Sequence, residues 1–245
     1  MITLTELKAY IPIIDSDKDT VLNGFIQAAI ADLNRLCNRT FRLGSFIEYF
    51  NGYGKSVYLK NTPIISVDAI TYYDGSAYVN QFEGDISDHI EITNNEMFFN
   101  NRWLRRSRLK VEYTGGYKFL NGTGTVSILQ GSIAVTGTGT LFTTEAIAGD
   151  YFLIGGERIK IASITNNTNL ILSMSVSAGY SDKGYTITTV PEDLRNTFLE
   201  MSAFKYLRSG AGKDLLYKIS DSTGAGFAPM PDWREVIDYY RVPGI

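Results

Sequence analysis

Residues 15–41, DSDKDTVLNGFIQAAIADLNRLCNRTF, decide how the chain begins to fold. Apolar side chains recur here at steps of three and four residues, the spacing that places them on one face of an α-helix. The members of this face are Leu22, Phe25, Ile26, Ala29, Leu33, Leu36 and Cys37. The preceding turn, Asp15-Ser16-Asp17, offers N-cap side chains that accept hydrogen bonds from the first backbone N–H groups. The pattern predicts a helix that runs to Asn38.

Three further helices are predicted, one before the long helix and two towards the end of the chain. Thr3 and Glu6 form a capping-box pair at the start of a short first helix, which Pro12 ends. A longer helix is predicted at Pro191, because proline suits a first helical turn and two acidic residues follow it. Its apolar face consists of Leu194, Phe198, Met201, Phe204 and Leu207. The tail then predicts a short helix around residues 214–219.

The middle of the chain has the composition of β-strands. β-Branched and aromatic runs at 56–59, 64–73, 90–93 and 109–113 alternate with turn residues, and they predict a small antiparallel sheet. From residue 122 to about 189 the chain is rich in Thr, Ser, Gly, Ile and Val, with few charges. Such closely spaced short strands predict a small β-barrel or sandwich.

Helical segments therefore lie on both sides of the second β-region, as expected for an inserted domain. The predicted fold is α+β: a small bundle of two N-terminal helices and one C-terminal helix, a small antiparallel sheet, and an inserted all-β barrel or sandwich. The predicted domains are 1–117 plus 190–245, and 118–189. We expect the inserted domain to face outward, since it must leave the host core undisturbed.

Composition limits the class of protein. The chain has 245 residues, 44% of them hydrophobic and 20% charged, which is ordinary for a globular protein. No run approaches the ~20 apolar residues that span a membrane, and Glu6 and Lys8 stand where a signal peptide needs an apolar run. We therefore expect a protein made in a cytoplasm, without a membrane partner.

The charge and the cysteine content exclude further classes. A net charge of −3 and a pI near 5.3 lack the basic footprint of tight nucleic-acid binding. The only cysteine, Cys37, leaves no partner for an intramolecular disulfide and too few ligands for a thiolate metal cage. Neither a cofactor nor a metal site is predicted.

Two Gly-Lys pairs fall short of a phosphate-binding loop. Residues 54–56, Gly-Lys-Ser, match its end, but Tyr49 stands where the motif needs its first glycine. Residues 212–213 fail in the same way, since Leu207 holds that position and Asp214 replaces the Ser or Thr that binds magnesium.

The only histidine, His89, also lacks a catalytic setting. Ser87 and Asp85 lie next to it in sequence, whereas the members of a catalytic triad converge from separate parts of a fold. Asp85, Asp88 and Glu91 lack the spacing of a calcium loop. An exposed loop histidine and solvated turn acids are favoured, and no catalytic residue is predicted.

Aromatic and arginine residues indicate contacts with other molecules. The chain has 16 tyrosines and 13 phenylalanines, and tyrosine is enriched at the centres of protein interfaces. The dense basic patch consists of Arg102, Arg105, Arg106 and Arg108, with Trp103 among them. Its alternatives are a contact with DNA phosphates, a salt-bridged subunit surface, and a solvated hairpin, of which the latter two are favoured.

The order of short motifs resembles the head-tail connector, or adaptor, family of long-tailed double-stranded DNA phages. The family's long helix ends in Cys-x-Arg-x-Phe, which is Cys37-Asn38-Arg39-Thr40-Phe41 here. The following matches are Phe50-Asn51-Gly52, Val57-Tyr58-Leu59, Pro63-Ile64-Ile65-Ser66-Val67, Tyr113-Thr114-Gly115-Gly116-Tyr117, Val190-Pro191-Glu192-Asp193-Leu194 and the closing Tyr239-Tyr240-Arg241. The chain departs from the family where residues 118–189 separate two of these motifs.

The resemblance implies a structural virion protein of the neck. Such a subunit forms a ring, commonly of twelve copies, beneath the portal, extends the DNA channel, and presents a surface for a neck, stopper or tail-completion protein. DNA would pass with only transient contact. For the portal or subunit interface we predict the C-terminal arm with Trp233, Tyr239, Tyr240 and Arg241, because aromatic and arginine residues anchor interfaces.

Two alternatives stay open beside the connector. In the first, residues 118–189 form a binding module that recognises a glycan or a capsid surface while the helices anchor it. In the second, a hydrolase would use His89 or Ser87, although no orienting motif surrounds them.

Overall fold

The computed structural model describes residues 1–11, 13, 16–51, 55–80, 85–93, 96–100, 108–209 and 233–242. Contacts divide the chain into two compact units. Met1–Cys37 and Lys118–Tyr240 form the helical unit, and Asn38–Tyr117 with Arg241–Ile245 forms the sheet unit. The predicted domains were a host domain, 1–117 plus 190–245, and an inserted domain, 118–189. The two units are grouped by contacts and not by insertion, so the predicted domain division stays a prediction. The predicted helix at 214–219 lies outside the described residues.

The helical unit has helices at three predicted positions, near residues 4, 19 and 192, and two short helices that were not predicted, near residues 142 and 234. They are α1 (Leu4–Tyr10), α2 (Asp19–Leu36), the short α3 (Phe142–Glu145), α4 (Glu192–Arg208) and α5 (Arg234–Tyr240). The capping box of α1 is confirmed, since Glu6 N donates to Thr3 Oγ1 at 3.1 Å and Thr3 N donates to Glu6 Oε2 at 2.7 Å. The predicted cap of α2 was wrong: Lys18 precedes the helix and makes no capping side-chain hydrogen bond. Among the described residues, no helix is long and apolar enough to cross a bilayer.

The helices before residue 40 and after residue 190 pack together. The rings of Phe25 on α2 and Tyr206 on α4 meet edge to face with centroids 5.9 Å apart. Lys205 Nζ lies 2.5 Å from Asp32 on α2, and Arg195 Nε lies 2.6 Å from the buried Glu6 of α1. One apolar contact and two ion pairs therefore hold α1 and α2 against α4.

The sheet unit contains two small antiparallel sheets. Its strands are β1 (Gly44–Asn51), β2 (Ser56–Tyr58), β3 (Ile64–Tyr73), β4 (Tyr78–Asn80), β5 (Ile90–Thr93), β6 (Glu96–Phe99) and β7 (Arg108–Gly115). One sheet has the order β1-β7-β3-β4 and the other β2-β6-β5. The predicted strands are confirmed, but they build two sheets where one was expected.

Both sheets bury one face in the same core. Its buried members are Val57, Leu59, Ile70, Met97, Phe99, Leu109, Val111 and Tyr113. Strand β7 alternates Leu109, Val111 and Tyr113 inward with Lys110 and Glu112 outward, as the two-residue period of a strand requires. The outer faces of the two sheets consequently point away from each other.

The second β-region lies in the helical unit and forms one open sheet. Its strands are β8 (Phe119–Asn121), β9 (Thr125–Ile128), β10 (Ala134–Thr138), β11 (Tyr151–Ile154), β12 (Glu157–Asn166), β13 (Asn169–Leu172), β14 (Tyr180–Lys183) and β15 (Thr186–Thr188). The order is β14-β9-β10-β13-β12-β11-β15-β8. The long β12 pairs with β11 through its first half and with β13 through its second half. Both halves line one core, so the region is sandwich-like and not a closed barrel.

Candidate interaction surfaces

Several of the motifs that carry the family resemblance converge in the sheet unit, whereas residues 190–194 and 239–240 lie in the helical unit. Phe41 is fully buried, its ring lies over that of Tyr117 with centroids 6.5 Å apart, and its carbonyl accepts a hydrogen bond from Tyr117 N at 2.7 Å. The guanidinium of Arg39 lies 4.8 Å from the Phe41 ring centroid. A Cβ on Gly115 would lie 2.0 Å from the carbonyl oxygen of Asn61. Distant sequence motifs thus meet at one close-packed point, where glycine is needed for space.

A buried polar network stabilises the same point. Tyr113 donates its hydroxyl hydrogen to Glu48, and Asn61 donates to the Tyr113 hydroxyl from its backbone N at 3.1 Å and from Nδ2 at 3.0 Å. Lys60 N donates to Glu48 Oε1 at 3.1 Å. Burial first, and then the Glu48 carboxylate, raise the pKa of Tyr113 well above that of an ordinary phenol. These hydrogen bonds join β1, β7 and the segment that precedes β3.

The C-terminal helix α5 docks on α4 through two of the predicted interface residues. Trp233 Nε1 donates to Glu200 Oε2 at 3.0 Å, and its ring meets Phe204 edge to face at 5.7 Å. The hydroxyl of Tyr240 donates to the carboxylate of Asp193 at 3.0 Å. Both aromatic side chains are therefore buried within their own chain.

The other two predicted residues of this arm face solvent. Tyr239 is 79% exposed, and Arg241 is exposed as well. The interface predicted from Trp233, Tyr239, Tyr240 and Arg241 stays a prediction. Of the four, Tyr239 and Arg241 have exposed side chains.

The predicted basic patch is described at one position. Arg102, Arg105 and Arg106 lie outside the described residues, whereas Arg108 opens β7 and is exposed on the outer side of the four-stranded sheet.

This outer side carries a cluster of tyrosines, which we name the tyrosine face. Its members are Tyr49, Tyr73, Tyr78, Arg108 and Lys110. The ring centroids of Tyr49 and Tyr78 are 6.0 Å apart, and those of Tyr73 and Tyr78 are 5.5 Å apart. Lys110 stands directly opposite Tyr49 in the strand register. All three tyrosines are exposed, Tyr49 by 55%, so the cluster offers aromatic surface with cationic groups beside it.

Two acidic residues moderate this charge: Glu112, and the exposed Asp74 of the turn between Tyr73 and Tyr78. Glu112 follows on the same side of β7, and its carboxylate lies 2.5 Å from Lys110 Nζ. The hydrogen bond to Glu112 is the first cause that raises the pKa of Lys110. Lys110 therefore stays cationic with part of its charge neutralised, and Arg108 supplies the remaining positive charge.

The outer side of the three-stranded sheet has the opposite charge. We name it the acidic face, and its members are Tyr58, Glu91, Glu96 and Phe98. Glu91 stands directly opposite Phe98, and Glu96 directly opposite Tyr58. Tyr58 and Phe98 are both exposed. This face therefore combines two aromatic side chains with two carboxylates.

The candidate catalytic residues are used in a turn. Asp85 Oδ1 accepts hydrogen bonds from Ser87 N and Ser87 Oγ, both at 2.9 Å, and so caps the short 3-10 turn Ile86–Asp88. These backbone and hydroxyl hydrogen bonds lower the pKa of Asp85. Cys37 is fully buried, and its thiol donates to the Ile237 carbonyl at 3.8 Å. Within the described ranges, no three His, Cys, Asp or Glu residues are grouped to hold a metal ion.

A pocket of about 310 Å³ lies in the helical unit. Its wall includes Thr3, Glu6, Lys183 and Tyr185. Glu6 is already bound by Thr3 and Arg195, and the Tyr185 hydroxyl donates to Glu145 Oε2 at 3.0 Å. Both buried polar groups are thus engaged in holding the fold.

The fold is α+β, and its sheet unit exposes aromatic side chains on both outer faces. Residues 1–100 match the sequence model of the family described as phage gp6-like head-tail connector protein. The resemblance to the connector family is therefore confirmed over this part of the chain. No curated protein matches the chain.

One similar solved structure is titled "Neck of empty GTA particle computed with C6 symmetry". Its chain is 13% identical, and the alignment covers 100% of this chain and 91% of that chain with a TM-score of 0.49. A likeness this distant carries no statement about function.

Proposed function

We propose that the protein is a head-tail connector subunit that forms a ring beneath the portal of a phage particle. The ring extends the DNA channel and gives neck, stopper or tail-completion proteins their attachment site. The match of residues 1–100 to the connector family is the observation that carries this proposal. The protein acts in the neck of the virion, after synthesis in the cytoplasm of the host, and it catalyses no reaction.

A ring of identical subunits needs a contact between two different surfaces whose rotation closes on itself. We propose twelve copies. The exposed aromatic residues of the sheet unit support self-association, since a monomer gains nothing by keeping them in water.

The charge of the chain suits a channel through which DNA must move. A net charge of −3 avoids the many fixed phosphate contacts that would release counterions and hold the duplex in place. Contact with DNA is therefore transient. Within the basic patch, the exposed Arg108 is proposed for this transient contact with DNA.

The C-terminal arm is proposed to contact the portal. Tyr239 projects from a helix that Trp233 and Tyr240 attach to α4, and the exposed Arg241 follows the end of that helix. A rigidly held, exposed tyrosine suits an interface anchor because little side-chain entropy is lost on binding.

The test is electron microscopy of the purified protein mixed with its portal. We expect closed rings on one end of the portal, coaxial with its channel. A protein that stays monomeric at all concentrations and leaves the portal undecorated would refute the connector.

A second candidate function concerns the β-region of residues 118–189, which would recognise a capsid surface or a glycan. Two exposed apolar side chains favour it: Leu129, 81% exposed, and Met174, 64% exposed. Exposed aliphatic groups suit a protein surface better than a sugar. The double variant Leu129→Ser, Met174→Ser should no longer bind capsids that lack a portal. The role is rejected if the double variant binds as well as the wild type, or if the wild type does not bind such capsids.

A further inference from the structure

We infer that neighbouring copies contact each other through the two outer faces of the sheet unit. The tyrosine face of one copy packs on the acidic face of the next. The inference rests on the proposed ring and names the surfaces that close it. It requires no residue outside the described part of the chain.

The two faces lie on opposite sides of one small body. Each sheet turns its apolar face into the shared core, so Tyr49 and Lys110 point one way and Glu91 and Phe98 point the other. A head-to-tail contact needs this arrangement, because every subunit must offer one surface to its left neighbour and another to its right.

Charge decides which faces meet. The tyrosine face contains Arg108 and Lys110, with the charge of Lys110 partly neutralised by Glu112, and the acidic face contains Glu91 and Glu96. Contact between two tyrosine faces, or between two acidic faces, would bring like charges together, which costs several kcal/mol at an interface. Tyrosine face against acidic face is the pairing that joins opposite charges.

Aromatic surface supplies the affinity. The tyrosine face exposes Tyr49, Tyr73 and Tyr78, and the acidic face exposes Tyr58 and Phe98. Large aromatic side chains dominate the energetics of interface centres, and charges around them chiefly set orientation. A second copy covers both faces at once, whereas a DNA duplex would be attracted by the tyrosine face alone and repelled by the acidic face.

A charge exchange tests the pairing. Arg108→Glu should weaken self-association at least about ten-fold, and Glu91→Lys should do the same, because each creates a like-charge contact. The double variant again brings opposite charges together, now with the negative charge on the tyrosine face and the positive charge on the acidic face. Its association should return to within about three-fold of wild type. Sedimentation over a concentration series, alone and with portal, measures the effect.

Matched controls carry the same charge changes elsewhere. Arg35→Glu on α2 and Asp17→Lys before α2 alter exposed positions of the helical unit. Both should associate like the wild type, which separates a local contact from a general effect of net charge.

Chemical cross-linking gives an independent measurement. A variant with Tyr78→Cys and Phe98→Cys should give a ladder of multimers with a bismaleimide, because each copy then carries one thiol on each face. Each single variant should stop at background, and the buried Cys37 should not compete.

The outcomes separate the inference from the proposed function. The assignment of the faces is overturned if rings form normally with either single charge reversal, or if the double-cysteine variant gives no ladder. Neither result contradicts the proposed connector function. A wild type that neither self-associates nor decorates the portal defeats both.

Discussion

At the residue scale, the structure gives a physical reason for the glycines and the tyrosine in the segment from Tyr113 to Tyr117. Gly115 and Gly116 lie where strand β7 passes close to other backbone: Gly116 has a φ of +97°, and a Cβ there would lie 2.7 Å from the Arg42 carbonyl oxygen. Tyr113 lies two residues before the end of the same strand and has a buried hydroxyl with three hydrogen-bond contacts. In this segment the glycines allow the close approach of backbone, and the tyrosine supplies the buried hydrogen bonds.

Two glycines should respond to alanine in opposite ways. Gly115→Ala should destabilise the fold by more than about 3 kcal/mol, because the new Cβ overlaps backbone that cannot move away. Gly24→Ala should stabilise it by up to about 1 kcal/mol, since Gly24 lies inside α2 with open space around it. Urea unfolding measures both. Equal effects would contradict the close approach at Gly115.

Tyr113 predicts a response to alkaline pH. Its pKa is raised in the folded state, so its contribution to stability is complete below about pH 10 and is lost as the pH rises further. Tyr113→Phe should lower the free energy of unfolding at neutral pH by about 1 to 3 kcal/mol and flatten this alkaline loss. The exposed Tyr49→Phe is the control and should change stability by less than about 0.5 kcal/mol.

At the element scale, α4 is the element on which α1, α2 and α5 all pack. The contacts differ in burial, since Glu6 is almost fully buried against Arg195 and the Asp32–Lys205 pair is partly exposed. Burial makes the loss of one partner costly, because the remaining charge loses both water and its counter-charge.

The two ion pairs should therefore differ in importance. Glu6→Ala should cost about 3 kcal/mol of unfolding free energy, and Asp32→Ala less than about 1 kcal/mol. Thr3→Ala removes the helix cap while keeping the ion pair and should cost about 1 kcal/mol. Thermal unfolding compares the three. If Asp32→Ala lowered the unfolding free energy more than the other two variants, burial would not determine the strength of these contacts.

Helix α5 predicts a separation of stability from portal binding. Trp233→Ala should lower stability by about 3 kcal/mol, because the indole loses its packing on Phe204 and its hydrogen bond to Glu200. Tyr239→Ala should leave stability within about 0.5 kcal/mol of wild type and weaken portal docking. Unfolding curves and portal pull-down measure the two effects. Full docking by Tyr239→Ala would count against the arm.

At the scale of the whole molecule, the charges of the sheet unit predict how the proposed self-association responds to salt. Screening shortens the reach of charges from about 10 Å at about 0.1 M salt to about 3 Å at about 1 M. Self-association should therefore weaken over this range in sedimentation experiments. The Arg108→Glu variant should show a flatter or reversed dependence, because its contact is repulsive. A wild type that assembles better at high salt would indicate a contact governed by apolar surface alone.

Local patterns in the sequence determined the elements. The three- and four-residue spacing of α2, the Thr3–Glu6 capping box and the strand alternation of β7 depend on residues close in the chain, and all are present. The connector motifs were recognisable for the same reason, since each spans a few residues.

The tertiary structure alone decided what the elements meet. Two sheets replace one, and Trp233 and Tyr240 turn inward on α4 while Tyr239 faces solvent. The tyrosine face joins Tyr49 to Tyr78 across a sheet whose strand order is not the chain order. Strand order and helix packing are set by many weak contacts between distant residues, and no short stretch of sequence contains them.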